Sequence, residues 1–234
     1  YKLALNYEVA DKHPDYIIGM GLTAEAVAKK YNISREAQDE FALRSHQLSS
    51  AARDRGFFAE EITPVSLTEI SVKNDKRTET NFIVKEDEGI RKETTLEALS
   101  ALKPVFANHG TVTAGNASQT SDGAGFVLVM SERMMNALGL QPVGRIIACS
   151  VAGVDPLYMG IGPCAAIPKA LLAAGKSLAE ISLIELNEAF ASQSLAVIRE
   201  AGLDPSIVNV NGGAIALGHP LGCSGARLTM TLLH

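Results

Sequence analysis

The 234-residue chain has no tryptophan, only 5% aromatic residues, and three cysteines, Cys149, Cys164 and Cys223. An odd number of cysteines without framework spacing excludes a secreted domain built on disulfides, so a reducing, cytoplasmic setting is expected. Basic charge is also in deficit: 21 Lys and Arg face 26 Asp and Glu, a formal net charge of -5. Non-specific binding to nucleic acid needs a basic face, so that partner class is excluded and any anionic ligand must find a local basic patch. No run approaches the length of a membrane span, and Tyr1-Lys-Leu-Ala-Leu-Asn6 has neither the apolar region nor the cleavage site of a signal peptide. There is no initiator methionine, and Arg227 to His234 stops inside an apolar helical pattern, so the chain reads as an internal stretch of a longer protein. Gly-x-Ser-x-Gly, a Walker A loop and a Gly-x-Gly-x-x-Gly after a strand are all missing, which sets aside serine hydrolases and the common nucleotide folds. His219 and Cys223 stand four residues apart, but two further ligands at matching spacing do not appear, and no metal site is expected.

What is present is a globular composition, 47% hydrophobic with 20 glycines. Residues 1–118 read as helices and loops. Thr23 is expected to cap a short helix, and Ser34 a longer one whose apolar positions Ala37, Phe41, Leu48 and Ala52 follow helical spacing until Gly56. Glu60 to Val72 alternates like a strand, Lys73–Arg77 reads as a solvated charged loop, and Thr94-Thr-Leu-Glu97 is a capping box that opens a helix through Leu102. From Asp122 the style changes. Gly123–Met130 is a continuous apolar run, the pattern of a strand buried on both faces, and Ser131 caps a helix ending near Gly139. Strand and helix then alternate: Arg145–Val151, Ala165–Ala174, Leu183–Leu186, Phe190–Ala201, Val208–Val210, and a helix from Leu221. Such alternation implies layered α/β packing, with Gln141-Pro142 as the best domain boundary.

Three stretches carry chemistry. In Asn209–Arg227 a glycine-rich strand exit and a small-residue helix start hold His219 between them, and a held imidazole can move a proton or donate to an oxyanion near neutral pH. The bland alternative is a structural histidine in a tight turn. In Leu186-Asn-Glu-Ala-Phe-Ala191 a buried strand ends in Asn187 and Glu188, where ligands of α/β sheets gather, although Asn187 alone also suits a helix N-cap. Gly110–Gly123 is dense in small and hydroxyl residues, so an extended ligand can lie against its backbone, with Ser118 as a donor; the alternative is a polar surface loop. Met159-Gly-Ile-Gly-Pro163 fits pocket lining or plain punctuation equally well.

Met20-Gly-Leu-Thr-Ala-Glu25, Asp87-Glu-Gly-Ile-Arg91, the Gly110–Gly123 loop, Asn187-Glu-Ala-Phe190 and Gly212–Arg227 occur in this order, and in this the chain resembles the thiolases over essentially its whole length. Details such as Met159-Gly-Ile-Gly-Pro163 bring it nearer the degradative 3-ketoacyl-CoA thiolases. The resemblance implies a layered α/β/α fold with an α-rich loop domain: residues 1–118 would cover CoA, 119–140 would end the N-terminal thiolase domain, and 141–234 would form a truncated C-terminal domain. It implies thiolysis of a 3-ketoacyl-CoA by CoA, or the reverse Claisen condensation, through an acyl-cysteine. His219 would activate the cysteine and donate to the thioester oxygen, and Asn187 would hold a water in the same oxyanion hole. Met20, Leu102, Phe106, Ala114, Ser118, Ala189 and Phe190 would line the pantetheine path, and Arg91 would meet the nucleotide end of CoA. CoA would enter as substrate, with no other cofactor, and the intact protein would be a homo-oligomer, a dimer or tetramer. The family's two catalytic cysteines fall outside Tyr1–His234, so this polypeptide alone is expected to be inactive, and its own three cysteines are expected to be buried packing residues. Gly19 stands where acetoacetyl-CoA enzymes carry histidine, which implies wider chain-length acceptance. An acetyl-CoA C-acetyltransferase and a non-catalytic CoA or acyl-chain binder are the alternatives.

Overall fold

The computed structural model describes residues 5–234. Its elements run α1 (Tyr7–Lys12), α2 (Met20–Lys30), α3 (Arg35–Asp54), β1 (Val65–Lys73), β2 (Lys76–Val84), α4 (Leu96–Ser100), α5 (Glu132–Leu138), α6 (Gly162–Ala174), α7 (Ala191–Glu200), α8 (Ala214–Leu217) and α9 (Leu221–Leu233). α3 is the spine. Ser34 accepts from the Ala37 N–H at 3.1 Å, satisfying one of the first-turn donors, and Gly56 takes the left-handed φ of +78° that turns the chain away after the helix. Phe41 and Ala42 on α3 pack with Leu99, Leu186, Ala191, Val197, Ile198, Leu203, Val208 and Ile215 in the main core. α7 packs on α3 in this core, and the strands expected at Leu183–Leu186 and Val208–Val210 are reduced to one isolated parallel bridge, Ile184 with Val208.

Several expectations change. Thr23 lies inside α2 and donates its hydroxyl to Met20 O at 2.7 Å; Gly19 is the cap residue. α4 is capped by Thr95, one residue later than expected, and ends at Ser100 rather than Leu102. The charged Lys73–Arg77 stretch is a tight hairpin turn, with Asn74 and Asp75 at φ +50° and +59°, the positive pair that matches strand twist. Sequence patterning gave no hint of β2. Gly123–Met130 and Arg145–Val151 form no strand ladder among the described residues, because no partner strand lies beside them. Their apolar side chains stay bare, Phe126 at 88% and Val151 at 86% exposure. Cys149 is exposed for the same reason and Cys164 is half-buried, so only Cys223 is the buried packing residue expected of all three. One apolar stretch does reach spanning length: Pro156–Ala174, 19 residues with mean hydropathy 1.4. Tyr158 breaks its helical geometry, and Cys164 and Ile167 pack on the main core.

Candidate functional site

The buried face of α3 is rich in polar groups, which are costly to bury without partners. Four of them reach three separate segments of the chain. Gln38 Nε2 donates to Thr111 Oγ1 at 3.0 Å, and Asp39 accepts from Asn116 Nδ2 at 2.9 Å, fixing the Gly110–Gly123 loop. Ser45 Oγ donates to Glu188 Oε2 at 2.6 Å, and His46 Nδ1 accepts from the Arg91 N–H at 3.2 Å. Burial, with the Arg91 charge adding to it, pushes the His46 imidazole down to about 4, so it serves as a neutral acceptor.

The two segments that leave the Ile184–Val208 bridge meet against this helix. Asn209, buried at φ +48°, imitates a sheet neighbour: its Oδ1 accepts from the Leu186 N–H at 2.7 Å, and its Nδ2 donates to Leu186 O and Glu188 Oε1, both at 2.8 Å. The chain therefore leaves Leu186 for Asn187 in a fixed direction. On the other arm Gly212, at φ +79°, presses on Ser45 and Ser49, and Gly218, at φ +92°, delivers His219. Asn187 Nδ2 stands 3.3 Å from His219 Nε2 and 3.5 Å from Nδ1. His219 Nδ1 is 2.5 Å from Ser224 Oγ, whose own proton goes to Pro220 O at 3.1 Å. Ser224 must then accept from Nδ1–H, which leaves the lone pair of the neutral ring on Nε2, while the near-equal distances set the Asn187 amide against the face of the ring. Burial and then the Arg227 charge lower the His219 pKa, keeping the ring neutral. Asn187 Oδ1 is buried without a hydrogen-bond partner among the described residues.

Most of the residues expected to line a CoA path converge as well. The Ser118 N–H donates to Ala189 O at 2.9 Å, and Ala117 pairs with Phe190 as an antiparallel bridge. Phe190 and Phe106 meet edge to face at 6.0 Å, and the Phe106 ring covers Gly21, where a Cβ would fall 2.1 Å from it. Leu102 lies over Gly115, next to Ala114. Met20, Leu102 and Phe106 keep 49%, 38% and 42% exposure, and Phe106 lines a groove of about 610 Å³ along Lys103–His109. Arg91 sits apart, in the loop held by His46, which Gln119 ties to the His219 arm: Nε2 donates to Gly89 O at 3.1 Å and to Ile215 O at 3.2 Å. Ser224, Gln119 and Asn209 were not marked by spacing, since each acts through a fold contact. No group of three metal-ligating side chains occurs among the described residues.

The thiolase N-terminal domain model matches residues 3–133, and the thiolase C-terminal domain model matches 140–234. The chain belongs to the thiolase family. This thiolase is 54% identical, over 98% of its length, to a Bacillus subtilis protein named 3-ketoacyl-CoA thiolase, and covers 59% of that protein. It is 48% identical to peroxisomal 3-ketoacyl-CoA thiolase A of Rattus norvegicus over 96% of the chain and 51% of the relative. It is 51% identical to an acetyl-CoA acetyltransferase of Rhizobium meliloti over 92% of the chain and 52% of the relative. The crystal structure of the Bacillus anthracis acetyl-CoA acetyltransferase superposes with a TM-score of 0.84 at 46% identity, covering 93% of this thiolase and 53% of that chain. The thiolase-like α/β fold expected from sequence is thus the fold observed. The chain spans between half and three-fifths of the relatives it matches.

Proposed function

We propose that this thiolase chain is the CoA-covering and oxyanion-stabilising portion of an acyltransferase that cleaves 3-ketoacyl-CoA with CoA. The division into a loop domain at 1–118, the end of the N-terminal domain at 119–140 and a C-terminal domain at 141–234 belongs to the same proposal. The observation that carries it is the meeting of Asn187 and His219 at 3.3 Å, with Ser224 fixing the imidazole tautomer. Nε2 of His219 takes the proton of a cysteine thiol, and then, as N–H, donates to the thioester oxygen as charge develops there. The free Oδ1 of Asn187 accepts from a water, which donates to the same oxygen. Arg91 meets the CoA phosphates, while Met20, Leu102, Phe106, Ala114, Ser118, Ala189 and Phe190 line the pantetheine.

Thiolysis of acetoacetyl-CoA and of a longer 3-ketoacyl-CoA by the full-length gene product tests this reading. Turnover should fall about 100-fold or more in His219→Ala and Asn187→Ala, and the 234-residue polypeptide alone should show none. Turnover by that polypeptide, or unchanged variants, would refute it. Acetyl-CoA acetyltransferase is the second reading, because relatives of both names match. The resemblance noted from sequence, Gly19 where acetoacetyl-CoA enzymes carry histidine, favours the longer substrates.

A further inference from the structure

Glu188 is fully buried, and among the described residues no cation lies in ion-pair contact with it. Arg227, whose charge acts on it, pairs instead with Glu185 at 3.1 Å. The donors that satisfy the Glu188 carboxyl among the described residues are all neutral. Oε2 accepts from Ser45 Oγ at 2.6 Å and from the Ile215 N–H at 3.2 Å, and Oε1 accepts from Asn209 Nδ2 at 2.8 Å. Ser45 Oγ in turn accepts from the Gly213 N–H at 3.1 Å. A carboxyl buried without a counter-charge is an expensive way to fill core volume, and an apolar residue would cost less.

These contacts have a common geometry. Glu188 directly follows Asn187 on one arm, while Gly213 and Ile215 open the other arm, which runs through α8 and Gly218 to His219. Gly213 is pressed so closely on the carboxyl that a Cβ there would lie 2.3 Å from Cδ. We propose that Glu188 is a positioning residue: its carboxyl holds both backbone arms at one point, with α3 behind it, and so sets the placement of Asn187 against His219. This rests on the reaction proposed above.

Donor geometry makes the test sharp. Leu186 locks the Asn209 amide, with its N–H on Oδ1 and its carbonyl on Nδ2, so Nδ2 can only donate toward residue 188. In Glu188→Gln the new NH2 must therefore face either that donor or the fixed Ile215 N–H. Glu188→Asp keeps acceptor-only chemistry but is one methylene shorter.

The experiment is steady-state thiolysis by the full-length protein, together with NMR of its His219 imidazole carbons, in wild type and both variants. Glu188→Gln should lose about 10- to 100-fold in kcat with KM for CoA within about twofold, because the Ser118–Ala189 contact stands independently. Its His219 resonances should move, and Glu188→Asp should recover part of both effects. A kcat within about threefold of wild type, or His219 resonances that stay in place while only thermal stability falls, overturns the proposal. Should Glu188→Gln not fold, Glu188→Asp against wild type decides on the same two readouts. If wild-type protein turns over no 3-ketoacyl-CoA, the reaction assignment fails, and the His219 resonances alone then decide the role of Glu188.

Discussion

Acid should loosen this protein through His46, and the size of the effect follows from its surroundings. The imidazole is 3% exposed, and its Nδ1 accepts from the Arg91 N–H. Protonation would place a second donor against that N–H and a charge beside Arg91. Burial first, and the Arg91 charge second, hold the folded pKa at about 4 against 6.5 for a free histidine. A folded value below the unfolded one means that the unfolded chain takes the proton first as pH falls. The contribution is therefore intact above about pH 6.5 and is lost down to about pH 4. At ~1.4 kcal/mol per pH unit of separation, about 2 kcal/mol is gone by pH 5 and about 3 kcal/mol by pH 4.

Glu185 works in the opposite direction over the same range. Burial is the main cause that pushes it up to about 7, against the opposing charge of Arg227. Its stabilisation is complete below its unfolded pKa and disappears as pH rises through about 7, so wild-type stability can look flat while the two effects oppose each other. The measurement is urea unfolding at about pH 7.5 and pH 5 for wild type and His46→Gln, a variant that can still accept from the Arg91 N–H and does not titrate. The stability of wild type relative to His46→Gln should fall by about 2 kcal/mol between the two conditions. An unchanged difference would refute the neutral-acceptor role.

Other perturbations separate the parts of the site. Gly213→Ala drives a methyl group into the Glu188 carboxyl and should destabilise by about 1–3 kcal/mol in the same unfolding assay, more than Gly222→Ala, where a Cβ meets nothing within 4 Å. Gly21→Ala displaces the Phe106 ring and should raise KM for CoA with a smaller change in kcat; an unaltered KM would remove Phe106 from the proposed pantetheine wall. Ser224→Ala takes away the acceptor of His219 Nδ1–H and should cut kcat/KM about 10- to 100-fold, with a changed pH profile rather than a changed affinity for CoA. Expressed alone, this 234-residue polypeptide should bind the dye ANS strongly, because Phe126, Leu128, Ile146 and Val151 lie bare; a Leu128→Asp, Ile146→Lys double variant should bind much less.

Local rules were legible in the sequence where a short segment decides its own geometry. Ser34 and Ser131 cap their helices as expected, and Gly139 at φ +64° ends α5. Asn187 and His219 stood out as candidates for a related reason, since segments flanked by small residues leave few side chains able to do chemistry, and the structure brings the two within 3.3 Å. What stayed hidden depends on partners far away in the chain. The apolar runs Gly123–Met130 and Arg145–Val151 have strand composition, but a strand needs a neighbour to accept its hydrogen bonds, and composition does not supply one. β2 was missed because its alternating threonines and charges face solvent on both sides, leaving no buried face to create a pattern. Glu188 shows the same limit from the other direction. By residue type it reads as a surface carboxylate, and it takes Ser45, 143 positions earlier, with Asn209, 21 later, and the Ile215 N–H, 27 later, to make a neutral cage for it. On α3 the buried Gln38, Asp39, Ser45 and His46 are the side chains that grip the loops, so in this site polarity marks the inside.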